Sequence, residues 1–112
     1  MDVIVRESSD IRIVDLNGRL DTGTSPAAES KIAGLLDAGH SKIIINLAGT
    51  DYVSSSGLRV FLIAAKKISA INGKLKVTAP NAVVKEILDI SGFSTILDVR
   101  DSEEEALAEL LL

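Results

Sequence analysis

Ile43–Ile44–Ile45–Asn46–Leu47 is the stretch that decides the architecture. Three β-branched residues follow one another with no polar residue between them. Side chains alternate across a strand, so a strand with one wet face alternates apolar and polar residues. An unbroken apolar run instead marks a strand covered on both faces, as in the middle of a sheet packed by helices.

Upstream, Val3 to Arg6 and Ile11 to Leu16 read as two strands, with Ser8–Ser9–Asp10 as the turn between them. Asn17–Gly18 reads as a second turn, followed by a short extended piece at Arg19–Leu20. Thr24–Ser25–Pro26 opens a helix, with Ser25 suited to cap its free amides and Pro26 to its first position. Ala28, Ile32, Leu35 and Leu36 fall on one face of that helix, and Gly39 ends it.

Downstream, Ala48 to Ser56 reads as a polar loop. Leu58, Phe61, Leu62 and Ala65 mark the inner face of a second helix, which closes at Asn72–Gly73. Lys66–Lys67 near its end suit the helix dipole. Leu75 to Ala79 is a strand. Pro80–Asn81 starts a helix with Val84, Ile87 and Leu88 inward, and Gly92 ends it. Ile96–Leu97 reads as a short strand. Ser102 to Glu105 forms a capping box for a last helix carrying Ala106, Leu107, Leu110 and Leu111. The expectation is one α/β (α+β) domain over residues 1–112. It has a small mixed sheet of about four or five strands and about four helices.

Composition narrows the function. The chain has 112 residues and is 46% hydrophobic but only 3% aromatic, so the core is aliphatic and stacking platforms for bases or sugars are scarce. Net charge is −4 and the basic residues are scattered, which argues against nucleic acid. Without cysteine there is no disulfide, thiol nucleophile or thiolate metal site, as suits a cytoplasmic protein. No apolar stretch approaches the ~18 residues of a membrane span, and Met1 to Arg6 does not read as a signal peptide. His40, the only histidine, sits in a Gly–His–Ser turn, and no G-x-S-x-G elbow is present, so a serine hydrolase is disfavoured. Nucleotide-binding glycine loops and metal-ligand spacings are also missing. No cofactor is expected, and the chain reads as a non-enzyme.

Function then falls to Asp51–Tyr52–Val53–Ser54–Ser55–Ser56–Gly57–Leu58, between the buried strand and the second helix. Helix N-termini expose unpaired amides and partial positive charge, which favour phosphate. A serine there offers a hydroxyl to modify, and Gly57 removes a side chain that would crowd an approaching partner. Serine before a helix is also an ordinary N-cap, the role expected of Ser55. The readings are compatible, because one serine can cap while another faces solvent.

Tyr52 to Leu62, YVSSSGLRVFL, resembles the motif of STAS domains of the anti-sigma factor antagonist type, close to D-S-S-G-L before a helix. Leu16–Asn17–Gly18–Arg19–Leu20–Asp21 is similar to that family's L-x-G-x-L-D, and the element order matches across essentially the whole chain. The resemblance implies that Ser56 is phosphorylated by an anti-sigma factor with serine kinase activity and reset by a serine phosphatase. It places Ser54, Ser55, Gly57 and Asp21 around the site and gives Leu58 and Arg59 to the partner surface. The unmodified chain would bind the anti-sigma factor and free the sigma factor. Two departures stand out: Ser54 and Asn46 occupy positions where the family commonly has Asp, which removes two carboxylates expected near the site. The resemblance leaves another role open, a partner-binding subunit of a lipid-transport ATPase complex or a stress-signalling scaffold. Neither role involves direct membrane insertion.

Overall fold

Alternation within the central strand explains why its sequence carries no polar break. A computed structural model describes residues 1–111. Strand β3 (Lys42–Asn46) lies between β2 (Ile11–Leu20) and β5 (Lys74–Thr78) and runs parallel to both. Ile43 and Ile45 turn to one face, with Val14, Leu16 and Val77. Ile44 turns to the other, with Ile11 and Ile13. All three isoleucines are fully buried.

The first face is covered by α1 (Ser25–Asp37), α2 (Ser55–Ala70) and α3 (Ala82–Ile90), through Ala28, Ile32, Val60, Phe61, Ala64, Ile68, Val84 and Leu88. The second is covered by α5 (Glu103–Leu110), through Ala106 and Leu110. Strand β1 (Asp2–Ser8) pairs antiparallel with β2, and β6 (Val99–Arg100) extends the sheet beyond β5 in parallel. The order is β1-β2-β3-β5-β6, and β4 (Thr50–Val53) pairs with the far end of β2.

The mixed α/β architecture agrees with the sequence reading, but four local expectations need correction. Asn17–Gly18 is not a turn: β2 runs through it. Gly18 adopts φ +112, and the register shifts between Gly18 and Arg19. The shift leaves Asp51 of β4 as the extra, unpaired residue of a bulge opposite the Gly18–Arg19 step, and the left-handed glycine keeps β2 continuous there. The stretch after β3 is not all loop, because Thr50 to Val53 forms β4; Thr50 is buried, and its hydroxyl donates to the Leu16 carbonyl at 2.6 Å. Ile96–Leu97 is not a strand. Gly92 at φ +82 opens a single helical turn, α4 (Phe93–Ile96), and the two paired residues follow at β6. Ser25 is not the cap of α1. Thr24 holds that position, and Ser25 is buried inside the first turn. Six strands and five helices result among the described residues.

Within α2 the buried line is Val60, Phe61, Ala64 and Ile68. Leu58 and Ala65 pack partly against it, whereas Leu62 is half-exposed and outside the core cluster. The caps of the later helices follow the sequence: Asn81 accepts from Val84 N at 2.8 Å and Ser102 from Glu105 N at 3.2 Å. The reciprocal arm of the capping box is absent, because Glu105 reaches towards Arg100.

Helix α5 is tied to the sheet by charge as well as by Ala106 and Leu110. Arg6 donates to Asp15 at 2.7 and 2.8 Å and also to both Glu103 oxygens, and Asn46 donates to Glu103 at 2.9 Å. The bond from Arg6, with that from Asn46, outweighs the upward pull of burial and holds the Glu103 carboxyl below its ordinary value of 4.5. A depressed carboxylate pKa contributes stability above the unfolded-state value, and that contribution is lost as pH falls through the folded-state value. Urea unfolding should therefore show stability declining below about pH 4.5. Glu103→Gln should cost on the order of 1 kcal/mol at neutral pH and flatten that acid slope. An unchanged slope would assign the acid sensitivity to other carboxylates.

Candidate functional site

Helix α2 starts against the end of β2. Ser54 N donates to the Leu20 carbonyl at 2.9 Å, fixing the chain just before the helix. Ser54 has extended backbone (φ −84, ψ 177), and its Oγ accepts from Gly57 N at 3.4 Å. Ser54, not Ser55, is therefore the N-cap. The residue that departs from the family motif does the capping, and a hydroxyl can do so without a charge. Ser55 is the first helical residue and is exposed. Ser56 follows, half-buried, with its Oγ 3.1 Å from the Thr22 hydroxyl. No acidic residue occupies the first turn of α2.

Gly57 has a different reason from the expected one. A Cβ at this position would lie 2.8 Å from Val53 Cγ1 and 2.9 Å from both Leu20 Cγ and the Leu20 carbonyl oxygen. The glycine lets α2 seat on the ends of β2 and β4; it makes room for the protein's own strands rather than for a partner. Gly57→Ala should destabilise the fold by about 1–3 kcal/mol through overpacking, since a backbone carbonyl cannot rotate away. Chemical denaturation would check this, and an unchanged midpoint would mean that the helix shifts freely.

Among the described residues, Asp21 makes no hydrogen bond to the serines. Its Oδ1 accepts from Gly23 N at 3.0 Å and Thr24 N at 3.2 Å, while the Thr24 hydroxyl donates to the Arg19 carbonyl at 2.7 Å. Desolvation pushes the Asp21 carboxyl up, but hydrogen bonds from Thr24 and Gly23 and the Arg19 charge outweigh it, leaving the pKa lowered. The ionised carboxylate braces the loop that places Thr22 against Ser56.

Asn46 is also displaced from its expected role. Its amide oxygen accepts from Ala48 N at 2.8 Å, and its nitrogen serves Glu103 on the α5 face. It belongs to the docking of α5, not to the serine segment. An Asp there would set a second carboxylate against Glu103. Leu58 packs partly into the core, Arg59 is exposed, and nearby Arg19 stacks over the Tyr52 ring at 4.6 Å.

The structure thus brings Ser54, Ser55, Ser56 and Gly57 together and reaches Asp21 only through its loop. Thr22 is the residue that sequence reasoning missed. It lies 34 positions from Ser56, and the pairing of β2 with β4, ending at Leu20 with Val53, brings the two segments side by side. His40 follows α1 at the N-terminal end of β3, whereas the serines sit where β2 ends, so the histidine lies at the opposite end of the parallel strands.

A family model described as the STAS domain matches residues 2–106. A Bordetella bronchiseptica protein, BtrV, named as an anti-sigma factor antagonist, is 34% identical over 96 residues, covering 86% of this chain and 83% of its own. The crystal structure of a Thermotoga maritima protein described as an anti-sigma factor antagonist superposes with TM-score 0.93 at 22% identity, covering 98% of this chain and 95% of its own. The Bacillus cell fate determinant SpoIIAA, solved in its phosphorylated form, superposes with TM-score 0.75 at 21% identity, covering 97% and 99%. These two structures attest the fold; the family model and BtrV attest kinship along most of the sequence. With its serine segment seated where the end of β2 meets the start of α2, the chain belongs to the STAS domain family.

Proposed function

We propose that this chain is an anti-sigma factor antagonist switched by phosphorylation of Ser56. The unmodified form binds an anti-sigma factor that is also a serine kinase, and so frees the sigma factor. The kinase, which supplies ATP and Mg²⁺, places a phosphate on Ser56 and ends the interaction, and a serine phosphatase restores it. The reaction takes place in the cytoplasm, where the sigma factor acts. No helix among the described residues is long and apolar enough to cross a membrane.

The observation that carries this reading is the state of the Ser56 hydroxyl. It stands in the first turn of a 16-residue helix and pairs with a surface threonine, in a turn without carboxylates. Amides at a helix N-terminus accommodate an added phosphate, and no acidic neighbour in that turn repels it. Ser54 is occupied as the cap. Ser55 is exposed but is one residue short of the position before the glycine. The naming of BtrV supports the antagonist role, and the phosphorylated form of SpoIIAA supports a phosphate switch on this fold. Leu58 and Arg59 lie along the partner-facing start of α2 in this reading.

The test is incubation of the chain with ATP and the kinase encoded beside it, followed by intact mass and peptide mapping. A single phosphate on Ser56 is expected. Mapping to Ser54 or Ser55 would overturn the residue assignment. No modification, with unaltered partner binding in the presence of ATP, would overturn the switch.

A further inference from the structure

The geometry points to Thr22 as a positioning residue for Ser56, one that orients the hydroxyl before phosphate transfer and holds the phosphate afterwards. This inference rests on the phosphorylation of Ser56 proposed above and adds a second residue to that site.

Both ends of the Thr22–Ser56 pair are fixed to the same place, the end of β2. On one side, Asp21 accepts from Gly23 N and Thr24 N, and the Thr24 hydroxyl donates to the Arg19 carbonyl. On the other, Ser54 N donates to the Leu20 carbonyl, and Gly57 packs against Leu20. This bracing sets the two backbone segments close enough for the hydroxyls of Thr22 and Ser56 to meet at 3.1 Å.

The chemistry then decides which hydroxyl donates. In transfer, the Ser56 Oγ–P bond forms, the bond from the γ-phosphorus to the ADP oxygen breaks, and the Ser56 proton passes to the kinase's base. That proton must be free to leave, so Thr22 Oγ–H donates to Ser56 Oγ, which keeps a lone pair for phosphorus. After transfer the ester oxygen carries no proton. The contact survives only with Thr22 as donor, to the ester oxygen or to the phosphate oxygens beside it. A donor aimed at the phosphate favours its dianion over its monoanion and lowers its second pKa.

The experiment encodes phosphoserine directly at position 56 of the full chain and titrates it by ³¹P NMR, alone and with Thr22→Val or Thr22→Ser. Thr22 is exposed, so valine replaces the hydroxyl without opening the core. The second pKa of the phosphate should rise by about 0.5 or more in Thr22→Val and return in Thr22→Ser. A merely structural role for Thr22 would not give rescue that depends on the hydroxyl. An unchanged pKa in Thr22→Val, or failure of serine to restore it, overturns the inference. Because the phosphate is encoded, that failure is distinct from failure of the kinase to modify Ser56, which would overturn the switch instead.

Discussion

Phe61→Ala should destabilise the protein by about 3–5 kcal/mol, the usual cost of emptying a fully buried phenylalanine site. Phe61 has no solvent exposure and is the only fully buried aromatic among the described residues; Phe93 packs partly buried against the same cluster. The other buried members of that cluster are aliphatic, and surrounding side chains relax only partly into an emptied site. The loss is large against the roughly 5–15 kcal/mol that keeps an ordinary domain folded. Leu62→Ala is the internal comparison. Leu62 is half-exposed one position further round the helix, and its truncation should cost no more than about 1 kcal/mol. Urea unfolding of both variants reads the difference directly. A loss below about 1 kcal/mol at Phe61 would mean that α2 is not packed as described. The Phe61 result also bears on function, because the same helix carries Ser56 at its start.

The central sheet was legible because burial on both faces leaves a visible trace, the unbroken Ile43–Ile44–Ile45 run. Helix caps at Asn81 and Ser102 were legible for a local reason, a polar side chain three residues ahead of the amide it accepts. What failed was whatever depends on distant partners. Asn17–Gly18 has the local signature of a turn, and only the pairing of Gly18 and Arg19 with β4 keeps it within a strand. Thr50 to Val53 looks polar because Asp51 and Tyr52 face solvent, yet its backbone pairs with β2. The same limit applies at the site. The serines and Gly57 are contiguous and were found by motif, but which serine caps depends on where the helix begins. Thr22 joins the site through pairing that no local window contains. Asn46 shows the converse: a position assigned to the site by likeness has side-chain partners on the opposite face of the sheet.

Ser56→Asp should remain folded and lose its partner. At the second position of α2 an aspartate sits among free amides at the positive end of the helix dipole, a placement that stabilises by about 0.3–1 kcal/mol. No carboxylate in that turn repels it, so unfolding midpoints should hold or rise slightly. At the interface the balance reverses. A partner surface shaped for a neutral hydroxyl must bury the new charge without a counter-ion, and a mismatched charge at an interface costs several kcal/mol. Affinity for the anti-sigma factor should therefore fall by about 100-fold or more in calorimetric titration. Ser56→Ala should bind as the unmodified chain does and resist the kinase. Ser55→Ala should change neither stability nor binding by much, since that residue is exposed and caps nothing. Ser54→Ala should cost about 1 kcal/mol of stability through the lost cap while leaving the acceptor in place. This ordering separates a charge effect at the interface from general damage to α2, because the variant with the greatest loss of binding is expected to be at least as stable as the wild type. Near-normal binding by a folded Ser56→Asp chain would mean that negative charge at Ser56 does not control the interaction.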